Sequence, residues 1–65
     1  MDEDEVRALP LLVPFMRAAD ALGISHTMAE DLIRSPQGFP VEVLRIGRLR
    51  KVRKVDLLRY LGIEP

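Results

Sequence analysis

Six of the ten residues from Arg45 to Lys54 are cationic: Arg45, Arg48, Arg50, Lys51, Arg53 and Lys54. Guanidinium and ammonium groups at that density are suited to one kind of chemistry, the binding of a polyanion with displacement of its counterions. The overall formal charge of zero conceals the cluster. Residues 1–31 hold seven acids against two arginines, net −5, whereas residues 32–65 hold eight cations against three acids, net +5. Charges more than about 8–10 Å apart are largely screened at physiological salt, so the acidic end does not cancel the basic one. Nucleic acid is the first partner this pattern points to.

Other chemistries lack their residues. There is no cysteine for a disulfide or a thiolate metal site, and the single histidine, His26, argues against a dedicated metal centre. No Ser–His–Asp or Cys–His arrangement, zinc-ligand spacing or Gly-rich phosphate loop is present. The acid pairs Asp2/Glu3 and Glu30/Asp31 are sequence neighbours, which diverge by about 100° on a helix instead of converging on a substrate. The expectation is a protein with no catalytic activity, no metal and no cofactor.

Sixty-five residues bound the scaffold to one small domain, near the lower limit at which a single hydrophobic core suffices. The acidic N-terminus does not read as a secretory signal. The apolar run from Leu9 to Met16 is interrupted by Pro10 and Pro14 and is too short to span a bilayer. No membrane association is expected, and a cytoplasmic location fits the absence of cysteine.

The chain divides into an acidic flexible tail over 1–8, a folded domain over 9–62 and a C-terminal tail over 63–65. Leu9 to Pro14 reads as extended, because each proline biases its predecessor away from helix. Phe15, Ala18, Ala19 and Leu22 then follow helical spacing, and Gly23 stops that helix. Ser25 is a good N-cap for a second helix with Met28 or Ala29, Leu32 and Ile33 inward, and Thr27, Glu30, Asp31 and Arg34 facing solvent. The turn-forming run Ser35 to Pro40 follows. Val41–Ile46 and Leu49–Val52 read as two strands joined at Gly47-Arg48, with Arg48 and Arg50 at the tip. A last helix over Lys54–Leu61 takes Val55, Leu58 and Leu61, or Leu57 and Leu61, as its inward contacts. The fold class expected is mainly α with a small β-hairpin: a winged helix-turn-helix with a two-stranded wing and a closing helix.

Two short helices joined by a three-residue turn containing glycine carry the helix-turn-helix pattern. Ala18 and Ala19 let the helices approach, Ile24 fills the space between them, and the second helix presents its outer face to a major groove. A basic hairpin beside it sets Arg48, Arg50 and Lys51 at the phosphate backbone or an adjacent minor groove. Phe15 and Phe39 are expected to pack, not to stack on bases, and Tyr60 to pack with its hydroxyl exposed.

The residues Ala18-Ala19-Asp20-Ala21-Leu22-Gly23-Ile24-Ser25, Leu32-Ile33-Arg34, Gly38-Phe39-Pro40, Arg45-Ile46-Gly47-Arg48 and Asp56-Leu57-Leu58-Arg59-Tyr60-Leu61 resemble the small excisionase/AlpA-like winged helix-turn-helix proteins, relatives of the MerR-type DNA-binding domain. The resemblance spans residues 11–61. It implies a recombination directionality factor of a phage or mobile element that binds and bends double-stranded DNA beside an attachment site. Its partners would be a tyrosine- or serine-class integrase and further copies of itself, bound cooperatively head-to-tail. By the same resemblance Ser25, His26, Thr27, Glu30 and Arg34 on the second helix contact the major groove, and Arg45, Gly47, Arg48, Arg50 and Lys51 belong to the wing. Glu30 and Asp31 depart from the family pattern, which often has an aromatic residue and a cation there; Glu30 can accept a bond from a cytosine amino group or pair with Arg34. A small transcription regulator, and a protein–protein adaptor that has lost DNA binding, are the alternative readings.

Overall fold

Pro14 ends one element and begins another, and the architecture turns on that junction. In the computed structural model, which describes residues 1–64, Leu12–Pro14 is a short strand, β1, running directly into helix α2 (Phe15–Leu22). A preceding helix, α1, spans Glu3–Arg7. Helix α3 (His26–Arg34) follows α2, then strands β2 (Val43–Ile46) and β3 (Leu49–Arg53), and helix α4 (Lys54–Leu61) closes the chain. Among the described residues this is a small α/β arrangement of four helices and one three-stranded antiparallel sheet.

The sheet has order β1-β3-β2, so β3 is central. The expected two-stranded hairpin is present, and β1 adds a third strand to it, with Val13 opposite Val52 and Pro14 opposite Lys51. Proline lacks an N–H and is tolerated only at sheet edges, which is where β1 lies. The Lys54 amide donates to the Leu11 carbonyl at 2.8 Å and carries the pairing one step further. Strand β2 begins at Val43 instead of Val41, and Val41 instead packs partly buried against the core.

Period two in the strands decides which side chains enter the core. Val13, Val43 and Val52 share one sheet face, where Val13 and Val52 are fully buried with Ala18, Leu57 and Leu58. A second cluster, of Phe15, Ala19 and Ala29 with Ile24 and Ile33 beside it, binds α2 to α3. The alanines allow the close approach that their size suggests. In α4 the inward residues are Leu57 and Leu58, with Leu61 partly buried; Val55 is exposed.

Residues 1–8 depart from the expectation of a flexible tail. Asp2 caps α1 by accepting from the Glu5 amide at 2.9 Å, while Glu5 reaches back to the Asp2 amide, a reciprocal capping box. Val6, only 2% exposed, and the buried Leu9 then join the main core. The acidic composition hides one apolar side chain, and that side chain anchors the helix. The far end is tied as well: Ile63 packs on the core, and the Glu64 carbonyl accepts from Arg7 Nη1 at 2.8 Å. Of the segment 63–65 expected as a tail, Pro65 lies outside the described residues. No helix among those described is long and apolar enough to cross a membrane.

Candidate nucleic-acid interface

Helix α3 begins at Ser25, whose Oγ accepts from the Met28 amide at 3.0 Å, as an N-cap of this type must to satisfy a first-turn donor. Gly23, at φ +73°, makes the left-handed turn that separates α3 from α2. On α3 Ala29 faces inward, and His26, Thr27, Met28, Asp31 and Arg34 are exposed. Of the two inward alternatives at the start of α3, the structure selects Ala29.

Two contacts set the hairpin beside this helix: Val43 of β2 packs against the Phe15–Ala19–Ala29 cluster, and Arg50 of β3 reaches Glu30. Arg50 Nη2 lies 2.6 Å from Glu30 Oε1, and its guanidinium carbon sits 4.5 Å from the centre of the Phe15 ring. Phe15 in turn packs against Phe39, ring centres 4.8 Å apart and tilted by 51°. The Arg50 and Glu30 side chains are 28% and 29% exposed, so the pair is largely withdrawn from solvent. The hydrogen bond from Arg50 is the main cause holding the Glu30 carboxyl below its usual range; burial opposes it, and the charges of Arg50 and then Arg34 add smaller lowering effects. The same bond raises Arg50 above the ordinary arginine value.

Two expectations change here. Arg50 does not project from the hairpin tip toward phosphate: it shares the sheet face of Val52, two residues on, and therefore points at the helices. Glu30 does not stand on the solvent face as a free acid, since Arg50 occupies one oxygen and Arg34 Nη2 approaches the other at 3.8 Å. The alternation of Arg50 and Val52 in the sequence is the signal that identifies the first of these; the second needs the tertiary placement of β3 against α3.

Most other cations are also engaged. Arg7 pairs with Glu3, Arg17 with Asp20, Arg53 with Glu42 and Asp56, and Arg59 with Asp56. The Lys54 ammonium donates to the Arg7 carbonyl. Among the described residues Arg45, Arg48 and Lys51 have no such partner, and all three belong to the hairpin. Arg45 lies opposite Arg50 on the helix-facing side, Arg48 sits in the turn, and Lys51 is on the other sheet face. Arg34, with its side chain 76% exposed, lies nearby in chain order at the end of α3 and is only loosely held by Glu30.

His26 Nε2 is 3.0 Å from Asp20 Oδ1, bridging the turn between α2 and α3. Gly47 has φ +60° and occupies the first position of the two-residue connection to Arg48, a geometry suited to the twist of the flanking strands. Ile46 and Leu49, immediately outside that turn, are exposed. Tyr60 is exposed too, against the expectation that it packs. No group of three or more metal-ligating side chains is gathered among the described residues. The arrangement offers an exposed helix face next to a short basic ribbon, with unneutralised charge concentrated on the ribbon. No protein-family model, curated protein or solved structure matches the chain.

Proposed function

We propose that the chain is a winged helix-turn-helix protein that binds double-stranded DNA without enzymatic activity. In this reading α3 enters the major groove, with Ser25, His26 and Thr27 at its leading end, and the β2–β3 hairpin is the wing. The observation that carries the reading is the placement of three cations without an internal partner among the described residues, Arg45, Arg48 and Lys51, all on the hairpin that Val43 and the Arg50–Glu30 pair hold beside α3. Among the described residues every other arginine has a carboxylate within 4 Å; free positive charge on a narrow ribbon suits contacts to phosphate.

The particular role we infer is that of an excisionase-type recombination directionality factor, acting with an integrase and with further copies of itself on DNA. Support for this finer role is the likeness of the 18–25, 45–48 and 56–61 segments to that family. The adaptor alternative rests on Glu30 and Asp31 as free acids on the second helix. Capture of Glu30 by Arg50 leaves Asp31 as the exposed acid there, which weakens that alternative.

Selection of bound duplexes from a random pool, at low and at physiological salt, tests the reading. Tandem direct motifs are expected. An inverted repeat with half-sites about one helical turn apart assigns a dimeric regulator instead. Absence of enrichment even at low salt overturns DNA binding.

A further inference from the structure

We propose that Ile46 and Leu49 form an apolar wedge at the hairpin tip that enters the minor groove of duplex DNA and unstacks a base step, bending the duplex. The proposal rests on the DNA-binding reading above and assigns to two further residues the work of deforming the DNA.

Ile46 and Leu49 are the last directly opposed pair before the turn. Opposed residues of an antiparallel pair project from the same sheet face, and alternation separates this pair from Val43 and Val52, which face the core. Ile46 is 48% exposed and Leu49 57% exposed, and neither belongs to a core cluster. Aliphatic side chains stabilise a fold through the apolar area they remove from water, about 25 cal/mol per Å². At the tip of the ribbon much of that area stays wet. The fold asks only for strand-forming residues here, a need that threonine meets equally well.

The setting of the pair points to its occupant. Arg48 lies between the two and Lys51 shares their sheet face, while Arg45 precedes Ile46 on the opposite, helix-facing side; all three are without an internal partner among the described residues. An apolar pair flanked by free cations is complementary to a groove with stacked bases at its floor and phosphates along both walls. The minor groove, about 6 Å wide, has this character, and aliphatic side chains pushed between its base steps are a known means of kinking a duplex. A purely apolar partner would bury the pair and leave the three cations unmatched.

The test uses a duplex recovered by the selection above, end-labelled for energy transfer and carrying 2-aminopurine at the step facing the wing. The proteins are the full chain, Ile46→Thr/Leu49→Thr, the apolar control Ile46→Leu/Leu49→Met, and Arg48→Ala. For the full chain a bend of about 20–90° is expected, with a rise in 2-aminopurine fluorescence on unstacking. The threonine variant, at saturation, should leave both signals near those of free duplex, with affinity within about tenfold because unstacking is no longer required. The apolar control should retain both signals. Arg48→Ala should bind more weakly yet bend fully once bound. A threonine variant that bends like the unaltered chain overturns the wedge and leaves DNA binding standing. Unaltered protein that binds without bending or unstacking overturns it equally, and failure to bind any duplex overturns both readings. If the threonine change instead abolishes self-association in sedimentation while bending persists, the pair belongs to an interface with a second copy.

Discussion

Arg50 on β3 and Glu30 on α3, twenty residues apart in sequence, meet at 2.6 Å, and the same guanidinium covers the Phe15 ring of α2 at 4.5 Å. One side chain thereby connects three elements. This contact joins β3 to α3 beside the packing of Val43 on the Phe15–Ala19–Ala29 cluster, and no buried aliphatic side chain of β3 other than Val52 faces the helices.

Removing Arg50 and removing the Glu30 charge should therefore not act independently. Arg50→Met keeps an apolar stem over Phe15 but releases a carboxylate beside the exposed face of α3. Its DNA affinity should fall further than that of Glu30→Gln, and the double variant should recover part of the loss. A double-mutant cycle read by fluorescence anisotropy should depart from additivity by about twofold or more. Additive effects would mean that the pair does not set the helix–hairpin geometry.

The same contact predicts an acid-sensitive contribution to stability. Above the ordinary carboxyl value of 4.5, Glu30 is ionised whether the chain is folded or not. In the folded protein the bond from Arg50 lowers that value, so the unfolded chain takes up its proton first as pH falls. The stabilisation is fully present above the ordinary value and is lost as pH drops through the depressed folded value. Chemical denaturation at pH values from about 7 down to about 3 should show a shallower acid decline in Glu30→Gln than in the unaltered chain. Identical declines would assign the acid sensitivity to other carboxylates.

Salt dependence separates the free cations from the engaged ones. Arg45→Ala, Arg48→Ala and Lys51→Ala should each weaken binding evenly across DNA sequences and reduce the slope of log affinity against log salt by about 1. Arg53→Ala should change the slope little, since that guanidinium lies 2.7 Å from Glu42 and 3.3 Å from Asp56. Equal slope changes for Arg53 and Arg48 would show that internal pairing does not govern which cations meet phosphate.

Deleting residues 1–8 should destabilise the domain, because Val6 leaves the core with them. Burial of one such aliphatic side chain contributes about 1.5–3 kcal/mol, and a Tm lower by roughly 6–24 °C is expected in a domain of this size. Val6→Ser should reproduce most of that shift with the charges intact. An unchanged Tm in both would return the segment to the role of a solvated tail.

Local chemistry alone specifies several elements of this fold. Gly23 with Ser25, the two-residue turn at Gly47-Arg48, and the apolar spacing of Phe15 to Leu22 and of Lys54 to Leu61 each act within a few residues, and each appears where those residues place it. The basic character of the hairpin was legible for the same reason. Three features needed the tertiary structure. Strand β1 is three residues long and ends on Pro14, and only pairing with β3, some forty residues later, gives it a partner. Helix α1 is marginal in isolation, and burial of Val6 against distant residues supplies what its length cannot. The division of the cations into engaged and free depends on which carboxylates the fold brings near, a property of distance in space that composition does not contain. Glu30 thus became a clamp instead of a repulsive charge, and Arg50 became its partner instead of a phosphate contact.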